Sequence, residues 1–545
     1  MVGVMQRSSP GTEVLDSWKE ISRYLNRDIR TLQRWERTKG LPVRRMPGGD
    51  KPGVYAVKSE LDRWRRSRGI HVASVEEAAP ASAPPPSVAV LPFLNLAGDM
   101  EDQYFADGLA DEVITALSRL PGLRVTARTS SFAFRGKEQD VREIGRRLHA
   151  RAVLEGSLRR SGSRIRVTAQ LVDTASGYHL WSERFDRDLT DVFAIQDDIT
   201  RAIVHALRVR LARAVPPASP QTGNPEAYRL WLKGRNHTLR QTPNEILRSR
   251  ELFARAIVLD PGFARAHLGL AESWWEGAVF GLDCPREAVA VGRRSVLKAL
   301  EIDDTLGEAH AMLGVYLGIH DFDWEPAERA FRRGLELSPA SPQVRTRYAA
   351  WLLEPNLRFD EARAELESAL EFDPLSPVIH ACLGHELIFR RDFRRAAEEL
   401  ELAVELDPCY WMAHVVRAGS YAFQGRFDES LAICEKVLEA IGPNPLLMGS
   451  AALLHGILGN RQRAEEIRRE VIESSRAGYL HKLALAWIHM GLGESEACLD
   501  WLEKAVEERE PLIVELNPKP LYDAFRLHPR FQALLSTMRL VKPSS

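Results

Sequence analysis

The sequence predicts a multidomain chain in three parts: a small basic head of helices and a hairpin, a small α/β domain, and a long all-α solenoid of helical repeats. Three observations predict it. Two stretches rich in Pro and small residues, 71–87 and 214–224, divide the chain. Short markers closed by Pro or Asp recur from residue 259 onward. Charge is also partitioned: residues 1–70 carry 16 Lys/Arg against 8 Asp/Glu, residues 88–213 carry 19 against 17, and residues 214–545 are acidic by 9 charges within a total of -1. A basic head on an acidic body places any polyanion at the head.

Size and composition exclude other classes. At 545 residues the chain holds several cores, and 45% hydrophobic with 27% charged residues excludes wholesale disorder or a disulfide scaffold. The longest apolar run, Leu446 to Gly459, is broken by Ser450 and His455 and is too short for a membrane helix, and the first residues do not read as a signal peptide. Five cysteines without a C-x-x-C pair suit a reducing compartment, so a cytoplasmic protein is expected.

In the head, residues 1–70, Ser17 and Glu20 have capping-box spacing, and Trp18, Ile21 and Leu25 follow at helical intervals. Asp28 is a candidate N-cap for a second helix, Ile29 to Lys39, ended by Gly40 and Pro42. Along it Ile29, Leu32 and Trp35 share one face, and Arg30, Gln33, Arg34 and Arg37 share another. Val43 to Met46 and Val54 to Val57 flank Pro47-Gly-Gly-Asp50 as a hairpin, and a third helix, Lys58 to Arg68, turns Leu61 and Trp64 inward.

These residues, Ser17-Trp-Lys-Glu-Ile-Ser-Arg-Tyr-Leu, Arg30-Thr-Leu-Gln-Arg-Trp-Glu and Gly40-Leu-Pro-Val, resemble the MerR/excisionase-type winged helix-turn-helix over about residues 14–68. The resemblance implies that the second helix enters the DNA major groove and that the hairpin is a wing. Arg30, Gln33, Arg34 and Arg37 would then face bases or phosphates, and Arg44, Arg45 and Tyr55 would belong to the wing. No long dimerisation helix follows, a departure from MerR regulators proper. The plain alternative is a solvated basic helix face.

The middle domain, 88–213, opens with the buried-strand run Val88 to Phe93, a helix from Asp107 to Leu120 and a strand Leu123 to Ala127. A helix Val141 to Leu148, three strands (Ala152 to Arg159, Arg164 to Val172, His179 to Phe185) and a helix Asp191 to Leu211 complete it. Val88-Ala-Val-Leu-Pro-Phe, Tyr104-Phe-Ala-Asp-Gly-Leu, Arg128-Thr-Ser-Ser and Gly177-Tyr-His-Leu-Trp-Ser-Glu-Arg-Phe-Asp resemble the FlgO/TolB-N-terminal-like domain, which brings no agreed chemistry. Asp107 and Asp111 are expected in a helix's first turn, where carboxylates favour the dipole, rather than as a catalytic or metal pair with Glu112. Arg128-Thr129-Ser130-Ser131 reads as a hydrogen-bonded turn or an anion holder.

From 225 to 545 the markers Leu259-Asp-Pro261, Ile302-Asp-Asp304, Leu337-Ser-Pro339, Phe372-Asp-Pro374, Leu406-Asp-Pro408 and Ile441-Gly-Pro443 are spaced 43, 35, 35, 34 and 35 residues apart. That period is the tetratricopeptide signature, with an insertion around Gly277 to Asp283 expected as a longer turn. About eight helical pairs and a cap from Asp523 to Phe531 follow. His267, His310, His380 and His414 occupy one repeat position and are too far apart for a common metal, so packing is expected. No catalytic motif, cofactor or metal site is legible.

The function expected is a bacterial, cytoplasmic, non-enzymatic transcriptional regulator. Its head would bind double-stranded DNA, and its separable repeat solenoid would bind a protein or peptide, with no cofactor and no membrane. Homodimerisation through the repeats stays open, and the alternative is a tetratricopeptide scaffold with a vestigial head.

Overall fold

The computed structural model describes residues 14–15, 17–25, 29–45, 54–58, 60–61, 64, 86–96, 100–120, 122–136, 139–161, 164–188, 198–199, 201–202, 222–238, 240, 242–475 and 478–540. They form two compact units, divided between Pro84 and Pro85.

The first unit begins with strand β1 (Val14–Leu15), helix α1 (Trp18–Leu25) and helix α2 (Ile29–Lys39), followed by strands β2 (Arg44–Arg45) and β3 (Val54–Val57). The Glu20 amide donates to Ser17 Oγ at 3.2 Å, the N-terminal half of the expected capping box. Strand β3 lies between β1 and β2 and is antiparallel to both, with Leu15 opposite Ala56 and Arg44 opposite Tyr55. The third strand, β1, has no signal in the sequence, because two residues are too few to show alternation. Ile21, Leu32, Leu41, Val54, Ala56 and Leu61 form the core, with Trp18 and Trp64 packed against it. Lys58, Glu60, Leu61 and Trp64 are helical, as expected of the third helix. The proposed cap Asp28 and the Pro47 to Asp50 turn lie outside the described residues, as does most of the first linker. Ser87 does not belong to that linker: it is buried in a strand.

The second unit starts with a sheet of β4 (Ser87–Val90), β5 (Leu94–Asn95), β6 (Arg124–Val125), β7 (Ala152–Ser161), β8 (Arg164–Asp173) and β9 (His179–Asp188), ordered β6-β4-β7-β8-β9, with β5 also paired to β7. Strand β4 is parallel to both its neighbours and buried throughout, because helix α3 (Met100–Ser118) covers one face while Phe134, Ile144, Leu148 and Ala150 cover the other. A strand covered on both sides reads as an unbroken apolar run. Strand β8 alternates instead, burying Ile165, Val167, Ala169 and Leu171 and exposing Arg164 and Arg166, since only one of its faces meets α3. Short helices α4 (Arg128–Phe132) and α5 (Val141–Arg147) fill the connections; Asp140 caps α5 through the Arg142 amide. Of the expected closing helix Asp191 to Leu211, only Asp198, Ile199, Arg201 and Ala202 are described, all helical.

Helix α3 departs from expectation in a way that matters. It starts at Met100, not Asp107, so Asp107 and Asp111 lie in its interior rather than in its first turn. It is also buried on its second side, against the repeats. A Cβ on Gly108 would stand 2.5 Å from Leu232 Cδ1, so glycine there permits the close crossing.

The repeats run as sixteen helices from Pro225–Thr238 to Ser495–Glu507, which make eight antiparallel pairs, two of their first helices continuing into π-turns at Tyr316–His320 and Ala349–Leu353. Small residues sit where the paired helices meet: a Cβ on Gly384 would come within 2.5 Å of Leu400, and one on Gly314 within 2.8 Å of Phe331. Ala327, Ala396 and Ala403 are fully buried. The 43-residue interval is a longer turn only in part: residues 280–284 replace a turn of the length of 390–392, and most of the insertion lengthens both helices of that pair, Ala264–Val279 and Pro285–Ile302, relative to Pro377–Phe389 and Phe393–Leu406.

A simple solenoid contacts only neighbouring repeats. This one closes on itself. The terminal segments Pro511–Leu516, Pro520–Phe525 and Pro529–Thr537 share one core with residues from Ala264 to Leu383. Asn517 Nδ2 donates to Pro355 O at 2.9 Å, Trp324 Nε1 to Met538 O at 2.8 Å and Asn444 Nδ2 to Phe280 O at 3.1 Å. Each bond joins segments more than 160 residues apart.

Asn517→Ala would leave the Pro355 carbonyl without this donor in a buried place, so about 1–3 kcal/mol of stability should be lost. Urea unfolding checks this; an unchanged midpoint would show that closure does not depend on the contact.

Candidate nucleic-acid interface and repeat cavity

In the head, α2 turns Leu32 fully into the core and leaves Arg34 and Arg37 exposed, with Gln33 half-buried beside them. Arg37 Nε donates to Gln33 O at 3.3 Å, while the Arg34 guanidinium has no ion-pair partner among the described residues. Arg30 lies on the same helix. The arginines of β2 are exposed but engaged: Arg44 pairs with Glu60 at 2.7 Å and Arg45 with Glu36 at 3.1 Å. Exposed pairs of this kind are worth about 0–1 kcal/mol, so a phosphate can compete for either side chain. Tyr55, half-buried, stands across the hairpin from Arg44.

The carboxylates of the middle domain have a different use from the one expected. Asp111, only 6% exposed, binds Arg235 and approaches Arg128 at 3.8 Å; Glu112 binds Arg265 at 3.3 Å; Asp107 binds Arg135 at 2.6 Å. Arg235 and Arg265 belong to the first two repeats. Burial raises the Asp111 carboxyl, but Arg235, Arg128 and Arg265 together bring it below its ordinary value of 3.8. Glu112 stays raised, because burial and the adjacent Asp111 charge outweigh Arg265.

A second joint lies at α4. Arg128-Thr-Ser-Ser is a helical turn, and it binds a carboxyl group supplied by the chain itself, one whose pKa burial raises against the Ser130 hydrogen bonds. Asp373, from a repeat marker, accepts from the Ser130 amide at 2.8 Å and from Ser130 Oγ at 2.5 Å. The Leu375 amide donates to Ser130 Oγ at 2.7 Å, and the Ala127 amide to Phe372 O at 2.7 Å. The middle domain is thus fastened both to the first two repeats and to the junction near residue 373. The break at 214–224 does not make the repeats a separate body.

Between these joints the solenoid borders an open cavity of about 2030 Å³, lined mainly by the first helices of its pairs, by the C-terminal segments, and by Asp111, Arg128 and Phe132 of the middle domain. Trp275 and Trp351 meet edge to face there, with ring centroids 5.2 Å apart. The four repeat histidines are structural. His267, His310 and His414 each contact a backbone carbonyl six residues earlier, at 2.9–3.0 Å, and His380 contacts Glu399 at 2.8 Å. Among the described residues no group of three or more His, Cys, Asp or Glu could hold a metal, and no helix is long and apolar enough to cross a membrane.

The buried ion network and the cavity escaped the sequence reading. The one available signal was the adjacent pair Asp111-Glu112 inside an otherwise apolar helix, which requires cations from elsewhere in the chain.

Comparison with known proteins adds the following. The model of the HilA/YgeH-like transcriptional regulator second domain matches residues 85–202, nearly the span that resembles FlgO/TolB-N, and a tetratricopeptide repeat model matches residues 383–445. A protein of Rhizobium meliloti (strain 1021), putative adenylate cyclase 3, is 43% identical over 224 residues, which are 41% of this chain and 38% of that protein. The chain therefore spans well under half of that relative. Among solved structures, a human IFIT1 dimer with m7Gppp-AAAA is 16% identical, covering 58% of this chain and 77% of that one at a TM-score of 0.39. Pseudomonas aeruginosa pilF is 19% identical, covering 40% and 92% at 0.30.

Asp111→Asn should destabilise the second unit by roughly 1–3 kcal/mol. That is less than the 3–5 kcal/mol of a fully buried broken pair, because the Arg235 side chain is 39% exposed. Since the arginines lower the Asp111 pKa, its contribution is complete above about pH 3.8 and is lost as pH falls through the lowered value. Urea unfolding of both proteins at pH 7 and pH 3 checks this: the gap should narrow at the lower pH.

Proposed function

We propose that this chain is a DNA-binding transcriptional regulator whose repeats receive a protein or peptide partner. The observation that carries the reading is the α2 face, where Gln33, Arg34 and Arg37 lie together on a head with twice as many basic as acidic residues. Arginine pairs bidentately with guanine and glutamine with adenine, so such a face can select sequence as well as bind phosphate. In this reading the head is the MerR/excisionase-like winged helix-turn-helix that its sequence resembles. Arg30, Gln33, Arg34 and Arg37 then face the major groove, and Arg44, Arg45 and Tyr55 the backbone.

The match of residues 85–202 to a domain of HilA/YgeH-like transcriptional regulators supports the same reading, and tetratricopeptide repeats commonly serve protein partners. The middle domain, fastened to the repeats at two joints, carries a signal rather than a reaction. The adenylate cyclase named among the relatives extends far beyond the matched part, and the reading here is non-catalytic.

The full chain should bind duplex DNA with an affinity that falls steeply between about 50 and 200 mM salt, as Lys/Arg contacts release counterions. Gln33→Ala and Arg34→Ala should each relax base preference by about 1–3 kcal/mol, whereas Arg44→Ala should weaken all sequences alike. Selection from genomic fragments followed by gel shift checks this. Absence of binding at low salt would favour the scaffold with a vestigial head.

Incubated with ATP and Mg²⁺, the purified chain should form no cyclic AMP. Chromatographic detection of that product would reject the non-catalytic reading.

A further inference from the structure

The cavity contains carboxyl groups that the protein leaves without a counter-charge. Glu354, at the end of the π-turn Ala349–Leu353, is 1% exposed and lines the cavity, and its Oε1 has no hydrogen-bond partner. Its other oxygen lies 3.8 Å from His385 Nδ1, on a ring that burial keeps neutral. The cations nearby are already taken: Glu386 is held by Arg363 and Arg390, and Glu515 by Lys519 at 2.7 Å.

Glu276, which also lines the cavity, is in a similar situation. Its Oε2 is buried and without a partner, and the nearest guanidinium, Arg347, is bound to Glu272 at 2.7 Å. Among the described residues, Arg347 Nη1 is the one cationic lining atom that is itself buried without an acceptor, and its charge is matched by Glu272. Trp275 and Glu276 are adjacent on one helix; Trp351 and Glu354 lie three residues apart on the facing segment. Two indoles in contact and two carboxyls with an unpartnered oxygen thus line the same cavity.

We propose that the cavity binds an extended peptide through a lysine or arginine side chain, its cationic head against Glu354 and Glu276 and its stem along Trp275 and Trp351. An ammonium or guanidinium gives a carboxyl oxygen that has no other partner a charge-assisted hydrogen bond as the proton leaves, and an indole face attracts the cation. The occupant is a peptide because about 2030 Å³ exceeds the roughly 300–1,000 Å³ of small-molecule pockets and is lined by successive repeats. This inference rests on the reading of the repeats as a partner-binding module and names the chemistry of the partner.

Protonation follows from the surroundings. Burial, with Glu272 adding and Arg347 opposing, pushes the Glu276 carboxyl up to about 8, and Tyr410 faces it as a second titratable group. Burial, with Glu386 and Glu515 adding, pushes Glu354 well above the carboxylate range, beside Cys382 and His385. Both carboxyls therefore hold a proton more readily than an exposed glutamate does, and a cation placed against them favours its release.

The test pans a random dodecapeptide display library against the full chain and measures the enriched peptides by calorimetry. The expected result is a shared lysine or arginine, at least tenfold weaker binding when it is replaced by norleucine, and a similar loss in Glu354→Gln and in Glu276→Gln with unchanged helical circular dichroism. Proton release on binding, read from two buffers of different ionisation enthalpy, should diminish in both variants. Enriched peptides that tolerate norleucine and both substitutions would overturn the cationic site while leaving a partner-binding solenoid. Competition by n-butylamine as strong as that of the peptide would overturn the peptide assignment. Failure to enrich any peptide would remove the partner-binding reading itself.

Discussion

The second unit depends on placing charged groups of helix α3 where water is excluded. Asp111 and Glu112 are buried between a sheet and a helical repeat, and a lone carboxylate there would cost several kcal/mol. Arg235 and Arg265 meet that need from the repeats, and Arg128 from the neighbouring short helix. The sheet side of α3 is held by apolar burial, each large aliphatic side chain contributing roughly 1.5–3 kcal/mol. Its other side is held by ion pairs with defined geometry. Apolar contact tolerates sliding, whereas guanidinium–carboxylate pairing sets a register.

That register has a consequence for the cavity. The Ser130–Asp373 bonds fasten the middle domain at a second point, so Asp111, Arg128 and Phe132 form part of the cavity wall. Residues that join the domains therefore also line the cavity. The chain's closure, with the terminal segments packed on repeats near Ala264 to Leu383, adds a wall to the concave surface. Local burial is what gives Glu276 and Glu354 their character, since the same carboxyls in water would be hydrated and ionised.

Much of this architecture was legible because it is periodic or local. The repeat period, the small residues at Gly314 and Gly384, the capping serine at 17 and the alternation of β8 all follow from neighbours within a few residues. The α2 face was legible for the same reason, since one helix turn brings Gln33, Arg34 and Arg37 together. Where reading failed, a distant partner was responsible. The start of α3 was misplaced because its first residues look polar, Met-Glu-Asp-Gln, and the compensating contacts Asp102–Arg160 and Asp107–Arg135 come from residues 58 and 28 positions away. Likewise Asp373 looked like one more repeat marker, and nothing near it announces Ser130.

The sequence by itself determined the order of basic head, α/β region and helical repeats, the pairing of repeat helices, the basic face of α2 and the buried strand β4, because helix and strand periodicity and charge are set over short distances. The tertiary structure alone decided that the middle domain and the repeats form one body, that the solenoid closes, and that two cavity carboxyls lack a counter-charge. Those outcomes depend on which side chains meet across more than a hundred residues, and burial, not sequence position, decides whether a charge there must be paired.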